Sequence, residues 1–160
     1  MKDKILITKF EGNLRIEKEA EIFIYGTNQI NLEILNNCKI FILANEKNRI
    51  MINKVTNSTI NINAVSLSNL EIFVYGKDEV NIEIDVIKLK GSTTVMPALL
   101  INGIKKAKHS ALIQPLNKEF LFYLKSKNVK NPERVIIYNH LNITEDEIKI
   151  VDEILEKNGY

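Results

Sequence analysis

A near-repeat restricts this chain's fold more than any other feature. The segment Glu21-Ile-Phe-Ile-Tyr-Gly-Thr-Asn-Gln-Ile-Asn-Leu-Glu-Ile34 returns about fifty residues later as Glu71-Ile-Phe-Val-Tyr-Gly-Lys-Asp-Glu-Val-Asn-Ile-Glu-Ile84, with Ile, Phe, Tyr, Gly, Asn and Glu in register. From Lys4 to about Ile113 the chain is a succession of short alternating segments rich in β-branched residues, separated by turn clusters of Asn, Gly, Glu, Lys and Asp. Strand starts recur about every nine to ten residues, a spacing that suits antiparallel hairpins or the successive sides of a solenoid. Self-similarity at long period selects the solenoid, and two strands per coil give a coil of about twenty residues.

In such a coil, alternate residues of each strand point inward and stack on their equivalents about 4.8 Å above and below. Ile22, Ile24, Ile30, Leu32 and Ile34 are expected inside, with Glu21, Asn31 and Glu33 facing solvent. Phe23 and Tyr25 break the alternation, because they are apolar residues on the outward face. Their side of the coil should therefore be covered, by a helix or by another subunit. Tyr25 and Tyr75 read as equivalent covering residues, and Gly26 and Gly76 as corners that need positive φ. Asn31, Asn53, Asn61, Asn63 and Asn81 either stack as a ladder along the solenoid or face water.

After Ile113 the periodicity becomes helical. Asn117 suits an N-cap for a helix over 118–127, with Phe120, Leu121 and Leu124 on one face and Asn128 as a left-handed stop. Asn131 followed by Pro132 suits a second start, and Thr144 with Glu147 forms a capping-box pattern before a helix carrying Ile148, Val151, Ile154 and Leu155. The expected architecture is all-β: a right-handed parallel β-helix over 1–115 with a helical extension over 116–160 packed on or beside it.

The 160 residues carry a net charge of +2 spread along the chain, which leaves no electrostatic footprint for nucleic acid or an anionic membrane. No apolar stretch approaches the roughly 18 residues of a membrane span, and no secretory leader is visible; a cytoplasmic protein is expected. The lone cysteine, Cys38, has no partner for an intrachain disulfide. With no second thiol or histidine near it in sequence, it reads as a buried structural thiol. His140, in the last turn of a helix, needs no role beyond favouring the helix dipole. There is no glycine-rich phosphate loop, no Ser/His/Asp order and no paired-carboxylate constellation, so a non-enzymatic chain is expected. A carbohydrate-active β-helix would need a groove lined with acidic and basic residues, and no such cluster stands out in sequence.

One segment carries a more specific signal. His109-Ser-Ala-Leu is followed by Leu116, Glu119, Leu121-Phe-Tyr-Leu124 and Ser126, downstream of a strand at Pro97 to Ile101. This pattern resembles the SufB/SufD proteins of iron-sulfur cluster assembly, over about a third of the chain, from Thr93 to Leu141. Ser110 and Leu112 stand where that family has Gly and Thr, and Lys127-Asn128 where it has Arg-Gly. The stretch near Lys90-Gly-Ser-Thr93 lacks the SufB-type cysteine, which puts the chain nearer the SufD type. The resemblance implies a short member of the SUF system that docks an ABC-type ATPase through its tail and pairs with itself or a paralogue. Phe122, Tyr123, Leu121 and Glu119 would then be partner-binding residues and His109 an interface metal ligand, with at most a transient iron-sulfur cluster and none held stably by the isolated chain. The alternative from another class is a structural or polymerising β-solenoid, similar to bactofilins.

Overall fold

In the computed structural model, which describes residues 2–56, 58–77, 80–100 and 108–160 (the side chains of 54–56, 77 and 98–100 excepted), eleven strands precede three helices. The strands are β1 (Asp3–Thr8), β2 (Glu11–Ile16), β3 (Ala20–Tyr25), β4 (Asn28–Ile34), β5 (Cys38–Ala44), β6 (Asn48–Thr56), β7 (Thr59–Ser66), β8 (Leu70–Lys77), β9 (Asn81–Lys88), β10 (Thr93–Leu100) and β11 (Lys108–Gln114). The helices are α1 (Lys118–Ser126), α2 (Pro132–Leu141) and α3 (Glu145–Lys157). Odd strands form one sheet in the order β1-β3-β5-β7-β9-β11, and even strands the other, β10-β8-β6-β4-β2. Every pairing is parallel. The chain is thus a parallel β-solenoid with one strand per sheet in each coil. Register partners lie 17 residues apart at Asp3 and Ala20 and 22 apart at Cys38 and Ile60, the coil length that the strand spacing predicts. They widen to 27 at Ile82 and His109.

The interior is a set of stacked aliphatic columns. Along the odd sheet, Ile5, Ile22, Ile40, Ile62, Ile84 and Ala111 occupy one column, and Ile7, Ile24, Ile42, Ala64, Val86 and Ile113 the next. Ile22, Ile24, Ile30, Leu32 and Ile34 are all buried, as their alternation requires. Burial of such side chains, at about 1.5–3 kcal/mol each, is what drives the coil closed.

The fifty-residue repeat corresponds to about two and a half coils, so its two copies start on opposite sheets: Glu21 lies on β3 and Glu71 on β8. Asp78 and Glu79 of the second copy lie outside the described residues, as do residues 101–107 of the segment resembling the SufB/SufD pattern. Tyr25 and Tyr75 are therefore not equivalent. Phe23 is buried and Tyr25 half-buried beneath the helices, whereas Tyr75 faces outward from the other sheet and is exposed. Gly26 turns a corner at φ +82°, but Gly76 is an interior residue of β8, paired with Val55 and Leu99. A strand-turn-strand repeat is common to both sides of a coil, so it cannot tell which side a strand will face.

The helices cover the odd sheet. Phe23, Leu43, Val65, Leu67 and Ile87 form a second core with Leu124, Ile136, Ile137, Leu141, Val151 and Leu155. The Asn117 side chain caps α1 by accepting from the Phe120 backbone N–H at 2.9 Å, and Asn128 ends that helix region at φ 57°. Phe120, expected on the packed face with Leu121 and Leu124, is instead exposed. Pro132 opens α2, but Asn131 before it has φ 52° and makes no side-chain cap. Thr144 Oγ1 donates to Glu147 Oε1 at 3.0 Å, so that pair closes side chain to side chain and leaves the backbone of α3 uncapped by Thr144. His140 Nε2 lies 3.0 Å from the Asp85 carbonyl oxygen, which ties α2 to β9, a structural contact beyond the dipole role.

Candidate functional site

Register sorts the outward residues of the odd sheet into three columns. Thr8, Tyr25, Leu43, Val65, Ile87 and Gln114 form the one largely buried by the helices. Beside it run Leu6, Phe23, Phe41, Asn63, Asp85 and Leu112, and beyond that Lys4, Glu21, Lys39, Asn61, Glu83 and Ser110. The turn between α2 and α3 overhangs the second column at Asn142, leaving a groove of about 670 Å³ between it and the polar residues of β5, β7, β9 and β11. A hollow of about 200 Å³ shares Phe41 and Asn142 with this groove and continues it toward Lys4 and Leu6. Six strands at about 4.8 Å spacing make the whole channel about 24 Å long.

Column position explains what sequence could not show. Asn61 is opposite Glu83 and Asn63 opposite Asp85, so residues 22 apart in the chain form a two-by-two polar array with Lys39 one rung away from Asn61. An acidic and basic groove is therefore present, although no local cluster encodes it. The available signal was the coil period: Asn63 and Asp85 are polar in a column that otherwise reads Leu, Phe, Phe and Leu. Asp85 accepts from Gln114 Nε2 at 2.9 Å.

Asparagine side chains pair between neighbouring rungs at two places, the coil corner and the face of the even sheet. Asn28 Nδ2 donates to Asn48 Oδ1 at 2.9 Å, Asn48 Nδ2 donates to the Gly26 carbonyl at 2.8 Å, and both side chains are buried at the coil corner. Of the five weighed from sequence, Asn31 donates to Asn13 at 3.0 Å in the exposed face of the even sheet. Asn61 and Asn63 line the groove, and Asn81 is exposed.

His109 is exposed on β11, the edge of the odd sheet, at an inward register position. Cys38 is buried in that same column, with Ile60 and Ile82 between them. Three rungs, about 14 Å, separate the two, too far for one metal ion. Burial pushes the Cys38 thiol from 9.0 up to about 11, a backbone hydrogen bond from Ala20 opposing the shift, so the thiol is protonated and unreactive near neutrality. Among the described residues, no group of three His, Cys, Asp or Glu side chains converges to hold a metal ion.

On α1, Leu124 is buried and Leu121 half-buried, while Phe120, Phe122 and Tyr123 are exposed, Phe122 at 74%. Tyr123 stacks on Phe120 at 6.4 Å between ring centroids. Glu119, in the first turn, is exposed. Among the described residues, these aromatics with Leu112 and Ile113 on β11 and Met96 on β10 make up most of the large exposed apolar side chains. No described helix is long and apolar enough to cross a membrane. No protein-family model, curated protein or solved structure matches the chain; what identifies it is its architecture, a parallel β-solenoid with helices along one sheet.

Proposed function

We propose that the chain is a non-enzymatic structural solenoid that assembles with copies of itself end to end. The observation that carries this reading is that β1 and β11 close the two ends of one parallel sheet, and among the described residues each has a strand partner on one side only. Unpaired strand edges template further pairing, and edges at opposite ends of one molecule make a contact that propagates rather than closes. Laid on β1 of the next copy in the register of the sheet, Ala111 meets Ile5, Leu112 meets Leu6, Ile113 meets Ile7 and His109 meets Asp3. Leu6 and Leu112 are 57% and 52% exposed in the isolated chain, so stacking would bury both. The edges of the even sheet are poorer templates, since β10 carries Pro97, which lacks a backbone donor, and β2 carries Gly12 at φ 137°.

Sedimentation velocity and negative-stain imaging test the reading. Concentration-dependent growth into filaments is expected, abolished in a Leu6→Lys/Leu112→Lys variant whose thermal melt is unchanged. A wild-type chain that stays monomeric at high concentration, or a folded variant that assembles like wild type, rejects it.

A second reading rests on Phe122 and Tyr123, whose exposure on α1 suits aromatic anchoring of a partner. The SufB/SufD resemblance would make that partner an ABC-type ATPase and His109 a cluster ligand shared across the interface. A folded Phe122→Ala/Tyr123→Ala variant that still recovers the ATPase at wild-type level removes this reading, as does a wild type that recovers none.

A further inference from the structure

We propose that the channel on the odd sheet binds a neutral glycan strand laid along the solenoid axis, with Asn61, Asn63, Glu83 and Asp85 hydrogen-bonding its hydroxyls. This goes beyond the assembly reading and does not depend on it, because the four polar residues lie on β7 and β9, on the outer face of inner rungs, away from the unpaired edges of β1 and β11.

Shape supplies the first argument. The site is a long open furrow of about 670 Å³ continued by about 200 Å³, a form that accepts a segment of a polymer. Its functional groups repeat at the rung spacing of about 4.8 Å, close to the length of one ring in an extended glycan.

Chemistry supplies the second. Among the described residues, the side chains of Lys39, Asn61, Asn63, Glu83, Ser110 and Asn142 make no hydrogen bond or ion pair within the protein. The asparagines at the coil corners behave in the opposite way. Asn45 accepts from the Gly26 N–H at 2.8 Å, Asn69 from the Ser92 hydroxyl at 3.0 Å, and Asn28 and Asn48 are fully engaged with backbone and with each other. The corner amides therefore hold the fold, while those in the channel have donors and acceptors to offer a ligand. A sugar hydroxyl both donates and accepts; each amide matches both needs and the carboxylates add acceptors. Phe41 and Leu112, at the two ends of the polar array in the same column, supply apolar surface for the faces of the rings.

Charge decides among polymers. Glu83 and Asp85 outnumber Lys39 at the array, so a polyanion such as nucleic acid is repelled. A lysine-rich peptide would meet the carboxylates but would set like charge against Lys39 at the same array.

The test is binding of the full-length protein to an array of neutral, anionic and cationic glycans and lysine-rich peptides, followed by calorimetry with the best-bound neutral oligosaccharide. Binding to at least one neutral linear glycan is expected. The Asn61→Ala/Asn63→Ala variant should lose roughly tenfold or more in affinity, the equivalent of one or two lost hydrogen bonds, with an unchanged melt. Should that variant unfold, Glu83→Ala at an exposed position must show the loss instead. Binding to no neutral glycan, binding confined to anionic glycans or to the peptides, or full affinity in a folded variant overturns the proposal.

Discussion

Replacing Ile42 with alanine removes three carbons from the middle of an inward column, between Ile24 on one rung and Ala64 on the next. At about 0.8 kcal/mol per buried methylene, the transfer term is roughly 2.4 kcal/mol. Because the side chain is fully buried and Ala64 is too small to fill the gap, a cavity term brings the expected loss to about 4 kcal/mol. The same change at Ile7, 5% exposed on the terminal strand with a register neighbour on one side only, should cost about 2 kcal/mol, since half of its stacking contact is missing. Urea unfolding in the Leu6→Lys/Leu112→Lys background, expected to be free of assembly, measures both through the midpoint at constant slope. Equal losses at the two positions, or a loss at Ile42 below about 1 kcal/mol, would refute the view that two-sided stacking of rungs carries the stability. Ile24→Asp or Leu32→Asp, each placing an unpaired charge in the same interior, should cost several kcal/mol, and retained thermal stability would show the inward assignment to be wrong.

Three further outcomes follow from local geometry. Cys38 should resist alkylation in the folded state at neutral pH and react fully on unfolding; because its thiol rises from 9.0 to about 11 on folding, stability should fall by roughly 2–3 kcal/mol as pH climbs through that window, whereas Cys38→Ser should abolish this slope. Gly91→Ala should lower the melting temperature far more than Gly26→Ala: both have positive φ, but a Cβ at Gly91 would lie 2.3 Å from the Ser68 carbonyl oxygen, whereas at Gly26 the nearest atom is 3.5 Å away. Asn48→Ala strips partners from the Asn28 amide and the Gly26 carbonyl and should cost about 2–3 kcal/mol in chemical unfolding, with a loss below about 0.5 kcal/mol showing that the corner ladder is dispensable.

The solenoid itself was legible in the chain. Alternation at Ile22, Ile24, Ile30 and Leu32 reports a pleated backbone with one buried face, and the recurrence of such segments at nine to ten residues sets the coil length, because both are properties of local geometry. The helix starts at Asn117 and Pro132 were visible for the same reason, since caps act within one turn. What the sequence left open is whatever depends on which rung, and which side of it, a residue occupies. The repeat equated Tyr25 with Tyr75, yet one lies beneath helices and the other is exposed on the opposite sheet. The side chains of Asn61, Asn63, Glu83 and Asp85 become one array only because β7 and β9 pair in register, 22 residues apart, and they stay beside the helices because those pack on the neighbouring column of Leu43, Val65 and Ile87. Stacking between coils is a long-range packing choice, made by the burial of whole columns, and no local run of residues encodes it.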